Sequence, residues 1–453
     1  MKLLTISKKW LIDPGLRLDA EYYLSEGLLS KKRLEYSPFT VKTLESVTHR
    51  IFSGNIFKRT FVDKPEFGYP YITASDMNNA DVIADKYISK RYTNQKENLE
   101  IKDGWILVSC SGTLGNTVFT TKDFLGMVGT HDLIRVIPDE NKIKPGFLFA
   151  YLNSKFGNSL LTQSSYGGVV KHIEPHHIQK LPVPIFTDTK QAETHELILK
   201  ASWYREQANS LLKNAINLFE SKIPPIDVKG VYNMKVSLIK DNNTRMDARS
   251  SVPAINSFYN QIAEEYRCEL LQDLAETIFT PAIFKRIRVD NPKQGIPFLS
   301  GSDLLQARPP FNSYLSKSMK DIDKYILEKG WIAIQDAGTI GYVSIINSYL
   351  HGVSATNNLV RIKPLKDINY NPYIFIFLKT AQGQTILKSL QYGSVQKHID
   401  FYQIRELKLP IIDEIMAEIT ENGIQYLEKM SLACNFESHA IKLIENEIES
   451  WQN

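Results

Sequence analysis

At 453 residues, with 43% hydrophobic and 23% charged residues, the chain has a globular composition and is too long for one ordinary domain, so two or three are expected. No run of eighteen apolar residues reads as a membrane span and the first residues (MKLLTISKKWLIDPG) lack the apolar core of a secretory signal. Cys110, Cys268 and Cys434 stand too far apart for a disulfide framework or a structural zinc site, which makes a cytoplasmic location the expectation. The net charge of +4 leans only weakly toward a polyanionic partner.

In chain order the first half runs RLDA at Arg17, IFKR at Ile56, GYPYITASDM from Gly68, GWILVSCSGTLG from Gly104 and DLIRVIP from Asp132. The same series returns as RMDA at Arg245, IFKR at Ile283, GIPFLSGSDL from Gly295, GWIAIQDAGTIG from Gly330 and NLVRIKP from Asn358. The offset drifts only from 228 to 226, so the chain is written twice. Within each copy the blocks GYPYI, WILVS and LIRVI, answered by IPFLS, WIAIQ and LVRIK, read as short strands. PGFLFAYLNSKFGNSLLTQ from Pro145 and NPYIFIFLKTAQGQTILKS from Asn371 read as one amphipathic helix per copy. Each copy closes on a shared ending, YGGVVKHIEPHHIQKLPVPI from Tyr166 and YGSVQKHIDFYQIRELKLPI from Tyr392, with ten of twenty positions identical.

A long helical stretch follows each ending. After the first, Leu197, Ala201, Tyr204, Ala208, Leu211, Ala215 and Leu218 alternate steps of four and three, a heptad seam. After the second, Leu427, Met430, Cys434, Ile441, Ile444, Ile448 and Trp451 keep that stepping, interrupted at Glu437. The expected architecture is α+β, with two pseudo-twofold-related domains of mixed strands and helices separated by two long helices forming an antiparallel coiled coil. The expected boundaries are 1–188 for the first domain, 189–224 for the central helix, 225–412 for the second domain and 413–453 for the C-terminal helix.

The repeat also sorts the candidate chemistry. The cluster Glu174-Pro175-His176-His177 resembles a metal or acid–base site, but its counterpart is Asp400-Phe401-Tyr402-Gln403, which leaves one histidine and one acid common to both copies, too few ligands for zinc. GTLG and GTIG lack the Lys-Ser/Thr of a phosphate-binding loop and read as strand-to-strand turns that need glycine. NYNPYIF from Asn369 approaches the Asn-Pro-Pro-Tyr/Phe loop of amino-methyltransferases, but IKPGFLF stands in the first copy, so Asn371-Pro372 is read as a helix start. No catalytic constellation recurs. What recurs is basic: Lys58-Arg59 with Lys285-Arg286, Arg135 with Arg361, and Lys171 with Lys397. A solvated face is the default for such residues, yet their duplication favours nucleic acid. The DNA-binding candidates are Lys58, Arg59, Lys285, Arg286, Thr113, Thr339, Tyr166, Tyr392, Lys171, His172, Lys397 and His398, with the lysines meeting phosphates and the histidines a phosphate or a base edge.

The order of these motifs, with a long helix after each copy, resembles the specificity subunits of type I restriction–modification systems over essentially the whole chain. The resemblance rests on RLDAEYY, the two GW…GT(L/I)G blocks and the two KHI…LP/KLPI endings. It implies that each domain reads one half of a bipartite duplex target, with the helices setting the spacing between half-sites. It also implies two methyltransferase partner subunits, which carry S-adenosylmethionine, and a motor–nuclease subunit, while this chain holds no cofactor and does no chemistry. The ending IFTDTKQAET only approximates the Glu-Gln pair such subunits carry there, and IIDEIMAEIT lacks it. The alternatives are a stand-alone double-domain DNA-binding protein, a regulator or defence factor, and a protein-interaction scaffold without nucleic acid.

Overall fold

The computed structural model describes residues 23, 25–82, 84, 86–111, 114–163, 172–228, 252–338, 340–393 and 396–451. The chain forms two compact units, Met1–Glu206 with Leu432–Asn453, and Gln207–Ser431. The RLDA and RMDA motifs lie outside the described residues.

Unit 1 opens with helix α1 (Glu26–Glu35) and contains ten strands and a short helix α2 (Lys96–Leu99) among its described residues. β2 (Thr48–Ser53), β6 (Ile106–Ser109), β7 (Thr117–Phe119) and β9 (Leu133–Pro138) form an antiparallel sheet in the order β2-β9-β6-β7. β3 (Phe61–Val62), β4 (Gly68–Ile72), β5 (Lys86–Ser89) and β8 (Val128–Gly129) form a second, ordered β3-β5-β4-β8, in which β4 and β8 run parallel. β1 (Val41–Thr43) pairs with β10 (Pro182–Pro184). β6 is buried along its whole length, as a continuous apolar run between two neighbours must be.

Behind the first sheet the chain forms two helices, not one. Helix α3 (Pro145–Asn153) is buried from Pro145 to Leu152 and therefore carries no polar face, and α4 (Lys155–Gln163) follows after a break at Ser154. Ser154 is extended and its hydroxyl accepts from the Gly157 amide at 3.2 Å, which starts the second helix. A side chain at Gly157 would collide with the Tyr151 carbonyl, so the tight corner needs glycine. A short helix α5 (Pro175–Gln179) precedes β10.

Two long helices follow, α6 (Asp188–Lys222) and, at the end of the chain, α11 (Asp413–Ser450), each contributing a segment to both units. In unit 1 they pair antiparallel: Lys190 meets Glu447, and Arg205 meets Glu437 at 2.8 Å. On α11 the expected seam is buried throughout, from Leu427 to Trp451, and Glu437 is buried with it. On α6 the period is as expected but half the phase is shifted. Ala201, Ala208 and Ala215 are buried with Ile198, Leu212 and Phe219, whereas Leu197, Tyr204, Leu211 and Leu218 flank them. The cause is that α6 serves two surfaces: Leu197 packs on the domain core that also receives Ile441, Ile444, Ile448 and Trp451.

Unit 2 repeats the plan. Helix α7 (Pro253–Glu265) precedes β11 (Arg267–Leu270), which pairs with β20 (Lys408–Ile411). β12 (Ala275–Phe279), β16 (Ile332–Gln335), β17 (Val343–Ile345) and β19 (Leu359–Pro364) form the sheet β12-β19-β16-β17. β13 (Arg288–Val289), β14 (Gly295–Leu299), β15 (Tyr314–Ser316) and β18 (Ser354–Ala355) form the sheet β13-β15-β14-β18, again with one parallel pair. Helices α8 (Asn371–Lys379) and α9 (Ala381–Ser389) break at Thr380, whose hydroxyl accepts from Gly383 at 3.0 Å, and α10 (Phe401–Arg405) precedes β20. Asn371 opens α8, and its buried side-chain amide donates to the carbonyls of Gly330 and Ile362, a structural task. Here the long helices are tied by Lys222 and Glu414 at 2.8 Å, and Phe219 lies against Tyr373 and Phe377. Among the described residues no helix is long and apolar enough to cross a membrane.

Candidate nucleic-acid interface

In unit 1, three repeated segments meet at one end of the β2-β9-β6-β7 sheet. β6 ends at Ser109, and Gly115 lies in the turn that leads back into β7. The Gly115 amide, at φ +76°, donates to the Ser109 carbonyl at 3.1 Å, and Ser109 donates back to Asn116 at 2.9 Å. One residue beyond the strand, the Cys110 amide donates to the Asp132 carbonyl at 3.1 Å, and the Cys110 carbonyl accepts from Ile173 at 3.0 Å. This seats the KHI segment beside the turn, with His172 bridged antiparallel to Ser111. The IFKR segment comes to the same place, because the Arg59 guanidinium lies 3.8 Å from the Asp132 carboxylate.

Unit 2 builds the same junction from its own residues. Gly341, at φ +86°, donates to Gln335 at 3.3 Å, and Gln335 donates to Tyr342 at 3.0 Å. The Asp336 carbonyl accepts from Ile399 at 3.0 Å, and His398 bridges to Ala337. Tyr392 and His398 exchange both backbone hydrogen bonds at 2.9 Å, which closes the loop between them. Arg286 donates to the Thr356 hydroxyl at 3.3 Å and lies over the Phe298 ring. Lys58, Arg59, Lys285, Arg286 and Tyr392 are exposed, and His172, Lys397 and His398 are half-buried. Thr113, Thr339, Tyr166 and Lys171 lie outside the described residues.

Two duplicated groups have other tasks. Arg135 and Arg361 are fully buried and cannot reach a phosphate. Arg135 donates to the carbonyls of Leu99, Glu100, Gly129 and Leu133, and Arg361 to those of Lys324, Ile326, Ala355 and Thr356. Burial lowers both guanidinium groups to about 10, so they stay charged at neutral pH. The acid kept in both endings caps a helix: Glu174 and His177 form a reciprocal capping box on α5, as Asp400 and Gln403 do on α10. That task accounts for both His177 and the acid of the apparent ligand cluster.

The sequence reading missed the support under each turn. The Asn158 amide donates to the Gly115 carbonyl at 2.7 Å and the Gln384 amide to the Gly341 carbonyl at 3.1 Å. Its signal was available as an amide directly after the corner glycine, Gly157-Asn158 and Gly383-Gln384. One difference between the two junctions lies beneath the turn. Burial, with Asp132 adding, pushes the Cys110 thiol up to about 12, whereas Asp336 puts a carboxyl in its place.

The model of the type I restriction modification DNA specificity domain matches residues 36–197 and again 265–429. The chain belongs to this type I restriction–modification DNA specificity family, as a specificity subunit with two DNA specificity domains. Among solved structures, the S subunit of a type I system from M. genitalium is 13% identical, with 92% of this chain and 96% of that one covered at a TM-score of 0.33. The HsdS subunit from Thermoanaerobacter tengcongensis is 11% identical, with 91% and 97% covered at a TM-score of 0.28. No curated protein matches the chain. The family assignment rests on the two domain matches.

Proposed function

We propose that this chain is the DNA-reading, non-catalytic subunit of its system, and that each unit reads one half of a bipartite duplex target. Two methyltransferase subunits carrying S-adenosylmethionine supply the modification chemistry, a motor–nuclease subunit supplies restriction, and the assembly works in the cytoplasm. The observation that carries this reading is the duplicated junction. In both units the same turn, KHI segment and basic IFKR segment converge, while the residues under the turn differ, Cys110-Ser111 against Asp336-Ala337. A shared frame with different contents suits two unlike half-sites. Lys58, Lys171, Lys285 and Lys397 are assigned to phosphates, with Arg59 and Arg286. His172, His398, Thr113, Thr339, Tyr166 and Tyr392 are assigned to contacts with the half-sites.

The pure chain incubated with DNA, S-adenosylmethionine and magnesium is expected to neither methylate nor cut, and to support methylation once the partner methyltransferase is added. Methyl transfer or cleavage by the chain alone contradicts the proposal. Lys397→Ala is expected to weaken binding to all sequences and lower the salt slope by about one. A change in the sequence bound contradicts the phosphate role.

A further inference from the structure

Ile56 and Ile283 hold the same place in the two units, at the head of the IFKR segment that both copies spell alike. They are 85% and 89% exposed, more than any other large apolar side chain among the described residues. A single exposed aliphatic residue needs no explanation. A matched pair does, because other exposed apolar residues, such as Leu125 and Phe67, have His351 and Gln294 as their counterparts.

The backbone on both sides of each isoleucine is held. Before it, the Asn55 carbonyl accepts from the Gln95 side chain at 3.0 Å, and the Ala282 carbonyl accepts from the Tyr325 hydroxyl at 3.3 Å. After it, Phe57 packs on the cluster of Tyr71, Ile88, Leu99 and Val128, and the Phe284 ring lies tilted against that of Tyr325, centroids 3.7 Å apart. The isoleucine therefore stands out from a fixed segment, and its β-branched side chain has few rotamers to lose on contact. The next exposed residues are Lys58-Arg59 and Lys285-Arg286.

We infer that Ile56 and Ile283 are sequence-neutral apolar contacts to duplex DNA, each pressed against sugar and base-step edges while the basic pair beside it holds phosphates. The inference rests on the proposed DNA-binding role and adds residues and a mode of contact to it. The basic flank favours a polyanion over an apolar protein surface. The neutrality follows from the repeat: a side chain identical in two units that read different half-sites is not what distinguishes them. Aliphatic wedges against base steps are an established way to hold DNA without reading it.

The test uses the full chain in complex with its methyltransferase subunits, titrated with salt on target and unrelated duplexes. Ile56→Ala and Ile283→Ala are each expected to weaken both duplexes about tenfold, with the salt slope and the preferred half-sites unchanged, because apolar contact is lost and no charge is removed. Lys58→Ala is the control and should lower the slope by about one. An altered half-site preference overturns the inference, because the isoleucine is then a base reader. Unchanged DNA binding also overturns it, whether or not assembly with the methyltransferase is lost. If Lys58→Ala leaves the slope untouched as well, the placement of DNA at the IFKR segment has failed along with the isoleucine contact. Both positions are so exposed that an unchanged melting temperature is expected and serves as the folding check.

Discussion

Arg135 and Arg361 show how much a letter depends on the strand that carries it. Each faces inward from the middle of a central strand, opposite Leu107 and Ala333, and donates to backbone carbonyls of the segments packed around it. A duplicated arginine suggests phosphate in a sequence, and nothing in its neighbours (LIRVI, LVRIK) signals that the guanidinium is buried, because alternation allows either face. Arg135→Met is expected to destabilise unit 1 by at least about 3 kcal/mol, since four carbonyls lose a charged donor at once. Chemical denaturation checks this, and a loss below about 1 kcal/mol would show that the carbonyls find other partners. Asp336 is the second informative residue. Its Oδ1 is buried without a hydrogen-bond partner, and burial pushes the carboxyl up to about 6, against the opposing effect of His398 and with Asp400 adding. A value above the ordinary 3.8 means the fold prefers the protonated acid. Its contribution to stability is full below about pH 4 and is lost as pH rises through about 6. Asp336→Asn should therefore melt higher than the parent above pH 6 and show a flatter stability profile between pH 4 and 6. Identical profiles would contradict the assignment.

Among the elements, the strands and their repeat could be read from β-branched runs and turn glycines, and the long helices from their stepping. The helix break at Ser154 and Thr380 could not, because a serine or threonine inside an apolar run is equally compatible with a continuous helix until its hydroxyl finds the next turn's amide. Half of the α6 seam positions are displaced by one residue for a related reason: leucines mark apolar surface without saying which of two partners takes it. Glu437 is the instructive case. It looked like an interruption of the seam, and it is the buried partner of Arg205, which occupies the facing position on α6. Glu437→Leu leaves the half-buried Arg205 without its anion and is expected to cost about 3–5 kcal/mol, whereas the double change Arg205→Leu with Glu437→Leu should recover most of the loss. A double variant as unstable as the single one would show that the pair contributes more than mutual neutralisation. The pair also fixes the register of the two helices in unit 1, since an ion pair cannot slide by a heptad without stranding both charges.

For the whole molecule, the internal repeat carried more than any single motif. It removed the histidine cluster, the phosphate-loop resemblance and the methyltransferase-like tetrapeptide by asking what both copies retain, and the structure gives several of these letters a physical task. His177 and Gln403 cap, Gly115 and Gly341 turn, and Asn371 holds two carbonyls. What the repeat cannot supply is which side chains touch bases, because that depends on the duplex and on residues of the turn tips. Independent reading of one half-site by each unit is the core of the proposed function. It is tested most directly by replacing residues 1–188 with the matching domain of another family member and profiling methylation of DNA by the reassembled complex. One half-site is expected to change while the spacer and the other half-site stay as they were. A replacement that altered both half-sites at once would contradict it.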